Sequence, residues 1–291
     1  FRSSDYVLGR SGDDVYDMGS GADRMSANSG NDTLIGGDGT DILDYYYNVG
    51  ANQGAKIILK DVDLNKNGDT SDTGESVTLS NIAISGLDSL DDNSYDFFSI
   101  TDGLGFTDYL YKKEDGTADI ETFYLTNYAD TISADDNINI IYSYNGNDTI
   151  YSQGGDDTIY GKSGNNYLNG GANDDIIYAG KGLDTIDGGD GIDTLRFDGA
   201  EQRVVVNLGA DTLTYDTTQT LATNRFINSW KNGGANQVGT ATNIENVDGT
   251  NFDDTIRGND AKNVINGGDG DDYIFASLGV DEIYGGNSTN G

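Results

Sequence analysis

Acidic side chains recur in this sequence at a constant spacing of nine residues. Four consecutive blocks start at Gly9 and read GRSGDDVYD, MGSGADRMS, ANSGNDTLI and GGDGTDILD. The sixth residue of each block is an aspartate, namely Asp14, Asp23, Asp32 and Asp41. Carboxylates in a regular row offer anionic oxygen ligands, which is the chemistry needed to bind hard divalent cations.

Two further runs of the same block follow later in the chain. The second run is weak at first and then strong from SYNGNDTIY to GGDGIDTLR, and the third is still in frame where the sequence stops. The sixth positions of these runs are Asp130, Asn139, Asp148, Asp157, Asn166, Asp175, Asp184, Asp193, Asp254, Asn263, Asp272 and Asp281. Candidate metal ligands therefore occur in three separate parts of the chain.

Short strands and tight turns must position these carboxylates. Glycines at positions one, two and four permit a tight turn of six residues, and positions seven to nine form a strand whose apolar middle residue points inward. Two blocks make one coil, so each residue is predicted to lie beside the residue eighteen positions later. The aspartate pairs predicted in this way are Asp14 with Asp32, Asp23 with Asp41, Asp157 with Asp175, Asp175 with Asp193, and Asp254 with Asp272.

Paired carboxylates in neighbouring coils point to calcium. Stacked about 5 Å apart, they repel each other unless a cation lies between them. Calcium takes about six to eight oxygen ligands, which two carboxylates and the turn carbonyls can supply. The sequence has no His and no Cys, which argues against transition metals. Aspartates that merely cap turns would not need to pair at a spacing of eighteen over three runs.

Some positions depart from the pattern. An amide oxygen is a neutral ligand, so we expect weaker sites at Asn166, grouped with Asp148 and Asp184, and at Asn263, grouped with Asp281. We expect the position of Asn139 to be empty. Asn173 replaces the fourth glycine of its block.

A separate calcium loop is one interpretation of residues 61–69, which read DVDLNKNGD. They resemble an EF-hand or dockerin-type loop, but position twelve is Gly74 and no helical pattern flanks the segment. A plain polar turn is the other interpretation. The candidate ligands are Asp63, Asn65, Asn67 and Asp69.

Composition limits the possible partners. The chain has 50 acidic and 16 basic residues, a net charge of −34, and self-repulsion of that size opposes folding unless cations neutralise it. No basic patch could contact phosphates, so we predict no nucleic-acid partner. No apolar run approaches the roughly 18 residues of a membrane span, so we predict no transmembrane segment. The sequence begins at Phe1 and stops inside a repeat, so we expect it to be part of a longer or processed protein.

The chain also duplicates on a larger scale. Residues 120–150 align without gaps to residues 244–274, and residues 36–45 match residues 188–197. We predict repeat segments at 1–44, 120–197 and 244–291, separated by β-rich inserts at 45–119 and 198–243.

The blocks match the pattern GGxGxDxUx, so the sequence resembles the RTX (repeats-in-toxin) family. The resemblance implies an all-β fold, a right-handed parallel β-roll with multiple Ca2+ ions in its turns, here interrupted by the two inserts. It also implies type I secretion to the exterior or cell surface of a Gram-negative-type bacterium. With one inward residue per strand, the core is thin, so we expect the chain to be disordered without calcium.

Catalysis has little support in the residues. Without His, neither HExxH nor a His-based triad is possible, GxSxG is absent, and the repeat already explains the paired acids. We predict a non-catalytic, calcium-folded structural module of an adhesin, surface layer (S-layer) or filament. The alternative is a C-terminal secretion or folding module of an RTX protease, lipase, epimerase or toxin.

Outward tyrosines could contact a partner. Tyr160 and Tyr178 are predicted to stack on one sheet, while Tyr151 faces the other way. Such a row could bind surface glycans or a neighbouring copy of the chain. Ordinary strand-surface residues would give the same pattern, and the sequence leaves both interpretations open.

Overall fold

A computed structural model shows an all-β chain. Its residues form two compact units, Phe1–Ile141 and Tyr142–Gly291, and each contains coils before and after one insert. Among the described residues there is no helix, and hence none long and apolar enough to cross a membrane. The structure describes residues 4–9, 11–26, 29–30, 32–45, 56–58, 97–101, 107–111, 120–197, 200–214, 220–222, 225–228 and 237–287.

The first unit has two long sheets and a two-stranded ladder. The strands are β1 (Tyr6–Leu8), β2 (Val15–Asp17), β3 (Ser20–Gly21), β4 (Arg24–Ser26), β5 (Thr33–Ile35), β6 (Asp38–Gly39), β7 (Ile42–Asp44), β8 (Lys56–Ile58), β9 (Phe97–Thr101), β10 (Thr107–Tyr111), β11 (Thr122–Tyr124), β12 (Thr131–Ser133) and β13 (Ile140–Tyr142), which ends at the unit boundary. One sheet has the order β1-β4-β7-β11-β13 and the other β2-β5-β10-β9-β8-β12, while β3 pairs with β6.

The second unit repeats this arrangement. Its strands are β14 (Thr149–Tyr151), β15 (Thr158–Tyr160), β16 (Tyr167–Ala172), β17 (Ile176–Ala179), β18 (Thr185–Asp190), β19 (Thr194–Phe197), β20 (Val204–Asn207), β21 (Leu213–Thr214), β22 (Thr220–Leu221), β23 (Arg225–Asn228), β24 (Gln237–Thr242), β25 (Asn246–Thr250), β26 (Thr255–Arg257), β27 (Val264–Gly268), β28 (Tyr273–Phe275) and β29 (Glu282–Tyr284). One sheet has the order β15-β17-β19-β25-β27-β29 and the other β14-β16-β18-β24-β23-β20-β26-β28, while β21 pairs with β22.

The coils have the predicted register of eighteen residues. Parallel pairs join Met25 to Leu43 in the first unit and Ile159 to Ile177 in the second. Because strand side chains alternate, the eighth residue of each block points inward, and Ile283 in the last described coil is the exposed exception. The predicted parallel β-roll is confirmed. The almost fully buried eighth-position residues are Met25, Leu34, Leu43, Ile132, Ile141, Ile150, Ile159, Leu168, Ile177, Ile186, Leu195, Ile256 and Ile265.

Each insert enters only one of the two sheets. In the first unit β10, β9 and β8 lie between β5 and β12, and in the second β24, β23 and β20 lie between β18 and β26. In both units the last of these insert strands pairs with the coil before the insert and the first pairs with the coil after it. The opposite sheet is uninterrupted, since β7 pairs directly with β11 and β19 with β25. One face of the roll therefore continues past the insert.

Ile177→Ala should destabilise the second unit. Its side chain is fully buried in the inward row, and truncating a buried Ile costs about 2–5 kcal/mol through lost burial and a residual cavity. Urea unfolding in excess calcium measures the loss. The matched control is Ile176→Ala, one residue away and only half-buried on the outer face, which should cost less than about 1 kcal/mol. Equal costs at the two positions would contradict the inward register.

Candidate metal centres

In most coil steps one oxygen of the sixth-position aspartate accepts a backbone hydrogen bond from the preceding coil. The backbone N–H of Asp157 donates to Asp175 Oδ1 at 2.8 Å, and that of Asp175 donates to Asp193 Oδ1 at 2.9 Å. The structure thus brings together every aspartate pair that the spacing predicts. The same bond, at 2.9 Å, joins Asp14 with Asp32, Asp23 with Asp41, and Asp254 with Asp272.

In four of the sixth-position aspartates, Asp23, Asp175, Asp193 and Asp272, the second oxygen is buried without a hydrogen bond. Asp175 and Asp193 are 1% and 0% exposed, and neither Oδ2 atom has a hydrogen-bond partner. The Oδ2 atoms of Asp23 and Asp272 are in the same situation. Leaving a charged oxygen buried and unsatisfied is costly, so these turns favour a cation.

The open oxygens of Asp175, Asp193 and Asp272 lie beside the first glycine of their own turns, whereas the block of Asp23 begins with Met18. A Cβ added to Gly188 would meet Asp193 Oδ2 at 2.5 Å and the Asn243 carbonyl oxygen at 2.0 Å. A Cβ added to Gly170 would meet Asp175 Oδ2 at 2.3 Å and the Gly188 carbonyl oxygen at 2.5 Å. The first glycine is needed for space, because an anionic oxygen and a carbonyl oxygen from the next coil both crowd its Cα.

The second and fourth turn positions need a left-handed backbone. Gly189 and Gly191 have φ of +110° and +153°, and Asn173, which replaces a fourth-position glycine, has φ of +82°. Gln153 holds φ of +78° at a second position, although it is not a glycine. Its carbonyl accepts a 2.7 Å hydrogen bond from the Ala172 N–H in the next coil, so pairing between coils helps to maintain the turn.

The oxygen set of the turns fits calcium. No three His, Cys, Asp or Glu side chains converge within the described ranges, so a metal in a turn would need backbone carbonyls beside the carboxylates. Calcium accepts such mixed oxygen sets. Asp23, Asp175, Asp193 and Asp272 provide open anionic oxygens and would hold the ion, which neutralises the buried charge when bound.

Burial also makes these carboxylates hard to ionise. It raises the pKa of Asp175 to about 7, and the charges of Asp193, Asp156 and Asp174 act in the same direction, against the hydrogen bond from Asp157 N–H. Burial, reinforced by nearby acids, raises the pKa of Asp193 to about 6. The folded turn therefore stabilises its ionised carboxylates poorly unless a cation is present.

The asparagine turns have a different arrangement. Asn166 accepts from the Asp148 N–H at 2.9 Å, as an aspartate would, but its Nδ2 donates to the Gly161 carbonyl at 2.7 Å. Asn263 Nδ2 donates to the Glu245 carbonyl at 2.7 Å and to Asn259 Oδ1 at 2.9 Å. An N–H donor thus satisfies oxygens that a cation could otherwise use, which supports the prediction of weak sites at Asn166 and Asn263.

Asn139 has the same kind of contacts in the first unit. Its Nδ2 donates to the Asn137 carbonyl at 2.8 Å and to Asp135 Oδ1 at 3.2 Å. Asn139 is the duplicate of Asn263, and Asp135 is the duplicate of Asn259. The geometry favours the prediction that this position binds no metal.

Threonines hydrogen-bond to two of the predicted aspartate ligands. Asp130 accepts from Thr126 Oγ1 at 2.7 Å and from Thr126 N–H at 3.0 Å. Asp254 accepts from Thr250 Oγ1 at 3.0 Å and from Val204 N–H at 2.7 Å. Both oxygens of each carboxylate already have protein donors, so these two residues are poorer metal ligands than the spacing suggested. The signal in the sequence is the motif TNxxD, shared by the two duplicated segments.

The other predicted ligands are distributed as follows. Asp184 is buried and accepts from the Asn166 N–H at 2.9 Å, and Asp281 accepts from the Asn263 N–H at 3.0 Å. Asp32, Asp41 and Asp148 are buried as well. The candidate ligands of the separate calcium loop, Asp63, Asn65, Asn67 and Asp69, lie outside the described residues.

Two glutamates were missed by the nonapeptide frame. Asp193 N–H donates to Glu245 Oε2 at 3.0 Å, and Asp41 N–H donates to Glu121 Oε2 at 2.8 Å. Each glutamate thus takes the place of the next sixth-position aspartate where an insert interrupts the repeat. The available signal was their common place in the duplicated segments, directly before the returning strand.

The outward tyrosines form the predicted row in the second unit. Tyr142, Tyr160 and Tyr178 stack with ring centroids 4.4 Å apart at both steps. Both faces of Tyr160 are therefore covered by neighbouring rings. Any partner of this row would meet ring edges and hydroxyl groups there, and glycan or self-association remains a prediction.

Comparison with known families agrees with this geometry. The sequence model of the RTX calcium-binding nonapeptide repeat, which spans four copies, matches just over half of the chain. No curated protein gives a significant match. The matched segments are residues 2–25, 17–45, 124–159, 133–168, 160–195 and 248–283.

Asn166→Asp should add one calcium ion per chain. The variant keeps the acceptor for Asp148 N–H but exchanges the donor that faces Gly161 for an anionic oxygen. Isothermal titration calorimetry gives the stoichiometry, and the converse variant Asp175→Asn should bind one ion fewer. An unchanged stoichiometry in Asn166→Asp would show that the amide does not exclude the metal.

Without calcium, acidification should favour folding. The folded-state pKa values of Asp175 and Asp193, about 7 and about 6, lie above the ordinary value of 3.8, so the folded chain binds more protons between those limits. The contribution of these two carboxylates to stability is fully present below about pH 4 and is lost as the pH rises through 6 to 7. Circular dichroism in EDTA should show β structure increasing from pH 7.5 to 4.5, less so in Asp175→Asn/Asp193→Asn. In calcium the trend should reverse, because protons compete with the metal. Loss of β structure on acidification in EDTA would contradict the assignment.

Proposed function

We propose that this chain, which belongs to the RTX calcium-binding nonapeptide-repeat family, is a non-catalytic structural module that folds on binding calcium outside the cell. Calcium binding follows from the family. The structural role, the location and the lack of catalysis are our proposal.

The buried, unpartnered Oδ2 atoms carry this proposal. In each open turn one aspartate oxygen completes the coil and the other has no protein donor, as at Asp175 and Asp193. The whole chain carries a net charge of −34, and its core gains about one inward residue per strand. Cations that neutralise the turns therefore supply free energy that burial alone does not, because metal binding to a site formed only on folding is coupled to folding.

An extracellular location suits this chemistry. Extracellular calcium modules work at about 10⁻⁴–10⁻³ M, and sites formed mostly by carbonyls with few carboxylates per ion belong in that range. The sequence contains no Cys that would need a particular redox compartment.

The structural role is supported by what the chain consists of. Most described residues belong to coils or to insert strands that continue a sheet of the roll. The sequence has no His, and we interpret Asp175 and Asp193, whose pKa values are raised to about 7 and about 6, as metal ligands and not as acid–base groups. We propose that the chain is a calcium-rigidified segment of an adhesin, a surface layer or an extracellular filament.

Calcium should convert the chain from an expanded coil to a compact β structure. For 291 residues the expected radius of gyration of an unfolded chain is about 60 Å. Calcium at millimolar concentration should reduce the radius of gyration clearly below that value. Small-angle X-ray scattering and circular dichroism in calcium and in EDTA measure the change. Magnesium at the same concentration is the control, since it demands octahedral geometry and retains water. A scattering curve and spectrum unaffected by EDTA would contradict the proposal.

A further inference from the structure

The inserts interrupt the spacing of eighteen but not the register of the uninterrupted sheet. In the second unit β25 pairs with β19 through Asn246 and Thr194, and in the first β11 pairs with β7 through Thr122 and Ile42. The residue before each pair is a sixth-position aspartate on one strand and a glutamate on the other. Glu245 thus lies beside Asp193 across 52 residues, and Glu121 beside Asp41 across 80.

Each glutamate accepts the same backbone hydrogen bond as the aspartate of an ordinary coil step. Asp193 N–H donates to Glu245 Oε2 at 3.0 Å, as Asp175 N–H donates to Asp193 Oδ1 at 2.9 Å. In return, Glu245 N–H and Asn246 N–H both donate to the Asp193 carbonyl, at 3.2 and 2.8 Å. The first unit has the same set, since Glu121 N–H and Thr122 N–H donate to the Asp41 carbonyl at 3.2 and 3.0 Å. Two inserts of different length therefore end in one geometry.

The coil step from Asp193 to Glu245 contains a buried anionic oxygen that accepts no hydrogen bond. Asp193 is fully buried, and its Oδ2 has no hydrogen-bond partner. That atom and the Asn243 carbonyl oxygen crowd the same face of Gly188. Asn243 lies two residues before Glu245, so the returning segment brings a carbonyl and a carboxylate to the coil that ends in Asp193.

At the next coil step along the roll, an asparagine side chain stands at the sixth position and its amide donates a hydrogen bond. Eighteen residues after Glu245 stands Asn263, whose Nδ2 donates to the Glu245 carbonyl at 2.7 Å. On this edge of the roll, Glu245 is therefore followed directly by an asparagine turn. A glutamine in its place would suffice to accept the Asp193 N–H, so the negative charge needs another explanation.

We propose that Glu245, and by the same geometry Glu121, is a calcium ligand that completes a metal site spanning each insert. This rests on the proposed function, because it extends the calcium sites of the ordinary turns to the step beside an insert. Asp193 Oδ2, the Asn243 carbonyl and the Glu245 carboxylate would hold the ion in the second unit. Such a site joins the coil before the insert to the coil after it, so ion binding restricts the insert at both ends.

Glu245→Gln in the whole 291-residue chain tests the assignment. The glutamine retains an oxygen acceptor for Asp193 N–H, so the substitution removes the charge and spares the coil hydrogen bond. Native mass spectrometry in calcium should show one bound ion fewer per chain, and Glu121→Gln combined with it should show two fewer. The matched control is Glu201→Gln, which removes the same charge from an exposed residue of the same insert and should leave the count unchanged.

Asp193→Asn separates this proposal from the function on which it rests. If Asp193→Asn loses an ion while Glu245→Gln keeps the full count, Glu245 is only a hydrogen-bond acceptor and the proposal is overturned. If Asp175→Asn and Asp193→Asn also keep the full count, the calcium sites of the turns are themselves wrong. Should Glu245→Gln fail to show β structure in excess calcium, Glu121→Gln in the first unit gives the same reading, with loss of one ion supporting the proposal and an unchanged count overturning it.

Discussion

The two oxygens of the sixth-position carboxylate have different roles, and the roll depends on this division. One oxygen accepts the backbone N–H of the preceding coil, as Asp193 does for Asp175. At Asp175 and Asp193 the other oxygen is buried beside a glycine and has no protein donor. The same side chain thus sets the coil spacing and creates a charge that the protein itself does not neutralise, so geometry and metal dependence cannot be separated.

The chain meets this constraint in more than one way. Open turns such as that of Asp175 leave the oxygen to a cation, Asn166 replaces it with an N–H donor, and Thr250 covers the carboxylate of Asp254 with its hydroxyl and backbone. The duplicated segments after both inserts use the threonine and asparagine solutions in the same order. Calcium dependence is therefore expected to be segmental, with turns closed by hydrogen bonds where the roll resumes after an insert.

Local periodicity was sufficient to predict much of this structure. The coil register, the inward position of Ile177 and the pairing of Asp157 with Asp175 all follow from a repeat of nine residues, because each involves neighbours at a constant separation. The insertion of three strands into a single sheet was not predictable, since those pairings join segments without a common period. The glutamates escaped notice because 52 or 80 residues separate Glu245 and Glu121 from their aspartates. The role of Thr126 appears only once the turn closes and brings its hydroxyl to Asp130.

The most direct measurement is a crystal structure of the chain from crystals grown in the presence of calcium. Anomalous difference density would be recorded at an X-ray wavelength at which calcium scatters anomalously. The division of roles predicts peaks beside Asp175 Oδ2 and Asp193 Oδ2, with Oδ1 of each residue still accepting the N–H of the preceding coil. It predicts weaker density beside Asn166, where Nδ2 donates to the Gly161 carbonyl. Well-ordered turns without density at Asp175 and Asp193, or equal density at Asn166, would contradict the account.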